Sequence, residues 1–392
     1  MVVKVSKPEL NLREKISELD KPSGIAGEAM LRADTPQEQF NLIGAGRRNM
    51  IINGAMAFSQ RNGTSLITLN SAGSVLYEFD RWQRQVQQTG KLTLQQVTDA
   101  PSGFSYSIKA TTASAITASG ADYYMIRQPI EGFDSAHLAY GTSSARTTTL
   151  SFWVKSTLTG QWSGAIKNAA GNRAYTFPYY INSPSTWEYK TVIIPGDTSG
   201  TWIGSTNGTG LALLYDLGVA RSDLHGTLNS WTATNSYASS TGVKLVQNAS
   251  ATWQITGVQL EVGKVATPFE HRSYGEELAL CQRYLYYVDV RGVNYKYMPC
   301  AGTNYTTGNA YTMWKYPQTM RATPELDYSD ATDFQVVSGG AVRETTSVGL
   351  SGSTWVDSAV VIFGASGAAA GHGCLIRTDA NTDVFISFDS EL

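Results

Sequence analysis

The run from residue 251 to residue 287, ATWQITGVQLEVGKVATPFEHRSYGEELALCQRYLYY, constrains the fold of this chain more than any other stretch. Apolar and polar residues alternate from Trp253 to Val262, which is the period of a half-buried strand. Pro268 breaks that pattern, and Ser273 with Glu276 three residues later predicts the start of a helix. The run therefore predicts the end of a β domain, a short helix and a further unit after it.

The composition favours a β-rich protein with a polar but weakly charged surface. Charged residues make up 16% of the 392 residues, whereas about a quarter is usual in soluble proteins. The chain has 37 Gly, 21 Tyr and 9 Trp, which suits many strands joined by turns. Three widely spaced cysteines argue against a disulfide framework or a zinc site and predict free thiols.

Several classes of function are disfavoured by the same numbers. The net charge is −2 and no basic cluster exceeds the pair Arg47 and Arg48, so we expect no nucleic-acid partner. No apolar run approaches the roughly 18 residues that a membrane span needs, so we expect no membrane insertion. The sequence also lacks a metalloprotease, hydrolase-elbow or P-loop motif, and we expect no enzymatic activity.

The whole pattern predicts a mainly β fold in four parts. These are an N-terminal segment of short helices, a large antiparallel β-sandwich of the jelly-roll type, a short connecting helix and a small C-terminal β-sandwich. We expect their boundaries at residues 1–49, 50–272, 273–287 and 288–392.

The N-terminal segment has helical spacing at Leu12, Ile16 and Leu19 and a second helix start at Thr35 and Pro36. Two short helices cannot bury enough apolar surface to fold alone. The segment therefore docks either on a partner, on copies of itself, or on the chain's own β domain, and the sequence leaves these readings open.

Several motifs resemble one family of proteins. The runs ITGVQLEVG (255–263), ATPFE (266–270) and CQRY (281–284) are similar to a signature of bacteriophage tail fibre and appendage proteins, notably those of marine phages and cyanophages. Further agreement comes from RNMIING (48–54), FDRW (79–82), LSFWVK (150–155), IPGDTSGTW (194–202) and NGTGL (207–211). At the C-terminus, MRATP (320–324) and ISFDSEL (386–392) resemble the ends of such fibres.

The resemblance implies a jelly roll similar to carbohydrate-binding modules, assembled as a homotrimeric virion appendage on the phage tail or capsid. The N-terminal segment would attach to phage tail or capsid proteins, and the C-terminal β domain would face the host. The implied function is attachment to a host surface glycan or receptor. Two alternatives stay open: a purely structural capsid fibre, decoration or connector protein, and a polysaccharide-degrading tailspike.

Glycan recognition requires exposed aromatic faces and polar neighbours for the sugar hydroxyls. We therefore single out aromatic residues that clean strand patterns do not force into the core, and one histidine in a Gly/Ala-rich loop. Trp153, Trp187 and Trp253 lie in clear strand patterns and are predicted to be core residues. The candidate glycan contacts are Trp162, Tyr179, Trp202, Tyr305, Trp314 and His372, although contacts between subunits could equally explain the C-terminal ones.

Two further sets of residues follow from these expectations. Leu278, Cys281 and Leu285 fall on one helical face, and with the N-terminal apolar residues Leu12, Ile16 and Leu19 they are candidates for oligomerisation. We expect no cofactor, but the resemblance leaves a structural calcium ion open. Its oxygen ligands would come from Asn53, Asp80 or Glu261.

Overall fold

The computed structural model describes residues 47–73, 75–381 and 383–392. These residues form antiparallel sheets with few helices, so the mainly β fold that the sequence predicts is confirmed. The N-terminal helical segment, with Leu12, Ile16 and Leu19, lies outside the described residues apart from its last positions and stays a prediction.

The strands of the first part are β1 (Ile67–Thr68), β2 (Val75–Phe79), β3 (Trp82–Val86), β4 (Leu92–Val97), β5 (Ser107–Thr112), β6 (Tyr124–Glu131), β7 (Thr148–Ser156), β8 (Gly160–Asn168), β9 (Ala174–Ile181), β10 (Glu188–Ile194), β11 (Thr209–Asp216), β12 (Ser230–Thr232) and β13 (Thr252–Val262). They form two sheets. Sheet 1 has the order β1-β4-β5-β13-β7-β10, and sheet 2 has the order β12-β9-β8-β11-β6-β3-β2. The helical elements here are α1 (Gly132–Ser135) and 3₁₀ turns at Ala136–Leu138, Ser222–Leu224 and Leu245–Gln247.

The core of this first part lies between the two sheets. In β7, Phe152 and Val154 are fully buried, and the residue between them, Trp153, faces the other way. Trp253 of β13 packs on Tyr215 of β11 with ring centroids 5.7 Å apart, which joins the sheets across the core. The predicted strand is therefore present as β13, but it is buried along nearly its whole length and not half-buried, since its polar residues Gln254, Gln259 and Glu261 are also buried.

The outer face of sheet 2 is covered by the chain itself. Met125 and Leu214 point away from the main core and are buried under Val219, Leu224 and Ala238 of the long connection that follows β11. The central strands β6, β8 and β11 are consequently buried on both faces along most of their length. The outer face of sheet 1 instead exposes large side chains such as Tyr189 and Ile193.

The C-terminal part consists of two further antiparallel sheets around a second core. That core contains Trp314, Phe334, Phe363, Ile376 and Phe388. Sheet 3 has the order β14-β23-β17 and sheet 4 the order β19-β18-β22-β15-β16-β21-β20. Their strands are β14 (Leu285–Asp289), β15 (Tyr297–Asn304), β16 (Asn309–Lys315), β17 (Glu325–Tyr328), β18 (Phe334–Ser338), β19 (Ala341–Glu344), β20 (Ser347–Thr354), β21 (Ser358–Gly364), β22 (Gly373–Thr378) and β23 (Phe385–Asp389), with a 3₁₀ turn at Ala331–Asp333.

The two ends of the first part meet at its closing strand. The backbone N–H of Met50 donates to the carbonyl of Leu260 at 3.0 Å. The Asn49 amide bridges the same strand, accepting from the N–H of Leu260 and donating to the carbonyl of Val258, both at 3.0 Å. Residues near Met50 are thus hydrogen-bonded to β13, as expected if this strand closes what the chain opens there.

A helix, α2 (Tyr274–Gln282), follows this closure, and it begins as the sequence predicts. Ser273 is its N-cap: the Ser273 hydroxyl accepts from the N–H of Glu276, and the Glu276 carboxylate accepts from the N–H of Ser273. The helix ends at Gln282, earlier than the expected residue 287. Residues Leu285–Asp289 pair with β23 instead, so sheet formation overrides the helical spacing.

The predicted oligomerisation face of this helix is wrong, because the chain's own residues cover it. Cys281 is 1% exposed and lies in a cluster with Ile52, Phe58 and Tyr284, against which Leu278 packs. Leu285 belongs to strand β14, not to the helix, and is also 1% exposed. Cys281 and Leu285 are therefore not available to a second copy, whereas Leu278 is half-buried.

The last residues of the chain are inserted against the first sandwich. Arg81, 1% exposed, forms an ion pair with Glu391 and stands over the ring of Tyr284, 3.5 Å from its centroid. Tyr77 and Gln83 donate to the carbonyl of Leu392 at 2.7 Å and 2.6 Å. The described cysteines are all free, as predicted. Among the helices within the described ranges, none is long and apolar enough to span a membrane.

Candidate functional site

Three of the predicted glycan contacts are core residues, which corrects the sequence interpretation. Trp162 and Trp314 are completely buried and Tyr179 is 3% exposed. Trp162 stacks on Tyr179 at 6.4 Å, whereas Trp314 packs on Phe388. None of the three can contact a ligand, because each faces the inside of its sandwich. The expectation that Tyr179 and Tyr180 point to opposite faces is confirmed, since Tyr180 is 53% exposed.

Trp202 is the predicted contact that lies at a surface cleft. It is half-buried on the loop between β10 and β11, as expected from the turn that precedes it. Its indole N–H donates to the Asp197 carboxylate and to the Ser199 carbonyl, both at 3.2 Å. The ring is therefore held in a fixed orientation by its own loop.

Three aromatic rings meet at this cleft. The Trp202 ring lies edge-to-face against Tyr140 and Trp231, with centroid distances of 4.9 Å and 5.6 Å. The rings of Tyr140 and Trp231 also contact each other, with centroids 5.6 Å apart. Trp231 is half-buried, and its indole N–H donates to the carbonyl of Pro195 at 2.7 Å. These contacts make a rigid aromatic wall in which Trp202 and Trp231 keep part of their surface open.

A cavity of about 240 Å³ opens beside Trp202. Gly141 is essential to its shape: its φ is +84°, and a Cβ there would lie 3.1 Å from the Trp202 ring and 2.8 Å from the carbonyl of Gly200. Only glycine fits such a backbone and such contacts. The lining residues are Ser135, Ala136, Leu138, Ala139, Tyr140, Thr142, Trp202, Ile203, Gly204, Gly210 and Leu211.

A charged pair lies next to Trp202, whose indole N–H donates to the Asp197 carboxylate. The guanidinium of Arg173 donates twice to the carboxylate of Asp197, at 2.7 Å and 2.5 Å. That hydrogen bonding raises the pKa of Arg173 above its ordinary value, so the guanidinium stays charged. An aromatic wall beside fixed polar groups can stack on the apolar face of a sugar ring and pair with its hydroxyls.

Tyr305 and His372 lie far along the chain from this cleft but next to each other. Both are exposed, Tyr305 by 69%. Their loops are joined because the N–H of Asn304 donates to the carbonyl of His372 at 2.9 Å. Tyr305 stacks on Tyr311 at 4.7 Å. The structure thus brings two of the predicted contacts together at one end of sheet 4, separate from Trp202.

The oxygen atoms suggested for calcium are used by the protein itself. The Asn53 side chain bonds Phe58 and the carbonyl of Asp80. The carboxylate of Asp80 accepts from the backbone and side chain of Gln60. Both carboxylate oxygens of Glu261 accept from neighbouring donors. Within the described part of the chain there is no group of three or more His, Cys, Asp or Glu side chains that could hold a metal ion.

Sequence reasoning missed some aromatic residues and misplaced others. Tyr140 gives no signal in the sequence, since it follows a short helical turn far from Trp202 along the chain. Trp153 and Trp187 are half-buried on the outside of sheet 1, so the prediction that they are core residues is wrong. The alternation of β7 alone contained the signal for Trp153, because Phe152 and Val154 already occupy the inner face.

Comparison with known proteins adds little. No protein-family model and no curated protein matches the chain. Among solved structures, the enzymatically active domain of tailspike protein 4 from bacteriophage CBA120 aligns at 16% identity and a TM-score of 0.31, over 55% of this chain and 21% of that one.

Two carbohydrate-binding modules are also similar. TmCBM61, in complex with β-1,4-galactotriose, aligns at 9% identity and a TM-score of 0.29, over 55% of this chain and 100% of that one. The family 11 module of Clostridium thermocellum Lic26A-Cel5E aligns at 13% identity and a TM-score of 0.25, over 54% and 100%. Likenesses of this size are too slight to indicate a function.

Proposed function

We propose that this protein binds glycans through the cleft at Trp202. The observation that supports this most is the pair of half-buried indoles, Trp202 and Trp231, with a cavity beside Trp202 and the Asp197 carboxylate hydrogen-bonded to the Trp202 indole. Planar rings stack on the apolar face of a pyranose, and fixed polar groups orient its hydroxyls. The cavity is smaller than the roughly 300–1,000 Å³ of ordinary ligand pockets, so it suits one sugar unit or a chain end.

The wider role that fits this binding is attachment of a bacteriophage virion to its host. The sequence resemblance to phage tail fibres supports it, together with a polar, weakly charged surface. The protein would be a non-enzymatic, homotrimeric appendage on the virion exterior, mounted on phage tail or capsid proteins through its N-terminal segment. Its second partner would be a glycan or receptor at the host surface.

An apolar row on sheet 4 favours self-association. The facing residues Val342, Val337, Leu375, Ala301, Met313 and Val360 are cross-strand neighbours across six strands, on the side opposite the core. Met313 is 57% exposed and Leu375 46%. A continuous exposed apolar row is unusual for a monomer. The row is made of uncharged side chains, so identical copies can meet on it without like-charge repulsion.

The glycan proposal is tested with the full chain on an array of neutral and acidic glycans. Trp202→Ala should weaken binding about tenfold or more, as expected for an aromatic anchor. Tyr180→Ala, an exposed aromatic on another strand, is the matched control and should bind normally. If no glycan binds, or if Trp202→Ala binds as well as the wild type, a purely structural fibre becomes the better reading.

The assembly proposal has its own measurement. Sedimentation of the full chain should give a trimer, and Met313→Glu with Leu375→Glu should give monomers, because charges on the row repel one another and resist burial. Tyr180→Glu is the control and should leave the trimer intact. A monomeric wild type would contradict this part of the proposal and leave glycan binding untouched.

A further inference from the structure

Large aromatic side chains form a continuous row on the outer face of sheet 1, away from the Trp202 cleft. Trp153 of β7 is the cross-strand partner of Tyr189 in β10, and their rings are 5.3 Å apart. Tyr189 is 44% exposed and Trp153 half-buried. Neither contributes to the core, since the inward positions of these strands are filled by residues such as Phe152 and Val192.

The row continues across β13 because that strand has a bulge. The register between β13 and β7 shifts between Thr256 and Gln259, and Gly257 lies in the bulge with a φ of +62°. A Cβ at Gly257 would lie 2.7 Å from the Phe104 ring and 3.1 Å from the Trp153 ring. Because Gly257 has no side chain, both rings can pack against the backbone of β13 at this bulge.

Beyond Phe104 the row reaches two more rings. Phe269 lies 5.0 Å and His271 5.3 Å from Phe104, and the two are 4.9 Å from each other. A second cavity, of about 220 Å³, opens at this end and includes Tyr274, which is 73% exposed. We call the row Tyr189, Trp153, Phe104, Phe269 and His271 the aromatic platform.

Polar groups border the aromatic platform, and the charged ones are paired with one another. Trp187 donates from its indole N–H to Asp99 at 3.3 Å, and Lys155 forms an ion pair with Asp99 and stands over the Trp187 ring. Partial burial opposes ionisation of Asp99, but these hydrogen bonds lower its pKa overall. At the other end, Arg272 pairs with both Glu270 and Glu277. A ligand here meets charged groups that already have partners within the chain.

We propose that the aromatic platform is a second carbohydrate-binding surface, which takes an internal stretch of a neutral, unbranched pyranose polymer. Rings in a line stack on successive sugar units, and the open sheet face has no wall that would require a chain end. The border favours a neutral polymer over an acidic one, because its cations are already paired and Arg272 faces two carboxylates. The inference rests on the proposed glycan function but on residues that the cleft does not use.

Two variants of the full chain separate the surfaces: Trp202→Ala for the cleft, and Trp153→Ala with Tyr189→Ala for the aromatic platform. The probes are neutral β-linked gluco- and manno-oligosaccharides of increasing length and their soluble polymers. The platform variant should lose about tenfold or more in affinity for the polymers. It should keep wild-type affinity for the shortest oligosaccharides that the cleft binds.

Controls keep the outcomes distinct. Tyr189→Ala alone, at an exposed position, provides a variant whose folding is not at risk, and Tyr180→Ala is the matched aromatic control. Polymer binding that survives in the platform variant but fails in Trp202→Ala overturns the platform and leaves the cleft. The reverse pattern supports the platform, and the cleft is then judged by whether Trp202→Ala loses the shortest oligosaccharides. A wild type that binds no neutral glycan overturns the platform, and one that binds neither neutral nor acidic glycans overturns both.

The same variants distinguish a glycan-binding surface from a contact between copies of the chain. If the platform substitutions change the sedimentation coefficient of the full chain while polymer affinity stays at the wild-type value, the surface is a contact between copies. That result overturns the proposal.

Discussion

At the scale of single residues, Glu131 joins the two β parts of the molecule. It is 1% exposed at the end of β6 and accepts from Arg283 at 2.9 Å and 2.6 Å and from the Tyr284 hydroxyl at 2.6 Å. Burial alone would raise the pKa of Glu131, but these hydrogen bonds outweigh it and lower the pKa below its usual value. The carboxylate is therefore more stable in the folded chain than in the unfolded one.

Glu131→Gln should accordingly destabilise the protein by roughly 1–3 kcal/mol at neutral pH. A depressed carboxyl pKa gives stability that is present above the unfolded pKa and lost as the pH falls through the folded pKa. The difference between wild type and variant should thus shrink below the unfolded glutamate pKa of about 4.3. Urea unfolding across a pH series measures this difference in the free energy of unfolding. A difference that persists at low pH would indicate a steric cause.

Lys167 shows the opposite electrostatic balance. It is 8% exposed on the outer face of sheet 2, with its ammonium 4.9 Å from the Tyr237 ring. Burial, and then repulsion from Arg127, lower its pKa to about 8. The unfolded chain therefore binds more protons between that value and the ordinary lysine pKa of about 10.4, so this residue makes stability rise with pH in that window.

Lys167→Met should stabilise the protein at pH 7 by roughly 1–3 kcal/mol. The gain should fade as the pH rises from about 8 towards the unfolded lysine pKa, because the wild-type ammonium then loses its charge. Lys315→Met, at a side chain 71% exposed, is the control and should show no such pH dependence. Thermal melts at several pH values measure the stability gain of Lys167→Met. An equal gain at every pH would contradict the buried ammonium as its cause.

At the scale of elements, α2 positions the C-terminal sheets on the first sandwich. Its N-terminus is held by a capping box between Ser273 and Glu276, and its inner face packs through Cys281 on Phe58. The strand that follows, β14, pairs immediately with β23. The helix thus sets the angle at which one core follows the other.

Ser273→Ala should cost about 1 kcal/mol, because it leaves an N-terminal N–H of α2 without its acceptor. Ser273→Asp should restore most of the stability, since a carboxylate caps equally well. Chemical denaturation measures the free energy of unfolding of both variants. Equal losses in the two would mean that the helix start is held by its surroundings and not by the cap.

The element scale also explains which parts of the candidate sites were predictable. The loop before Trp202 has turn residues in its sequence, and a loop places its aromatic at a surface. Trp162 is the same residue type in a strand, but the central strands of sheet 2 are covered on both sides, so that β8 is buried from Trp162 to its end at Asn168. Tyr140 and Trp231 join Trp202 only through contacts between distant segments, which no local pattern encodes.

At the scale of the whole molecule, the two β parts are joined by a buried ion pair. Glu391 pairs with Arg81, and Arg321 donates to the carbonyls of Ser390 and Glu391 at 2.6 Å and 2.8 Å. A charge left alone in such a place is costly, whereas two apolar residues of similar volume are tolerated. The pair therefore couples the unfolding of the two cores.

Glu391→Ala should destabilise the chain by about 3–5 kcal/mol and split a single unfolding transition into two, as the C-terminal sheets lose their hold on the first sandwich. Arg81→Met with Glu391→Leu should recover one transition, because no buried charge is left unpaired. Differential scanning calorimetry distinguishes these results. One unchanged transition in Glu391→Ala would show that the apolar contacts of α2 suffice for coupling.

The sequence by itself determined the mainly β fold, the closing strand at Trp253–Val262, the start of α2 at Ser273 and the free thiols. Each depends on local periodicity, capping or spacing. Only the tertiary structure decided that the α2 face is buried, that the last residues insert beside Arg81, and that Trp162 is enclosed in the core. Alternation gives a strand two faces, and it is the packing of distant segments that determines which face remains open.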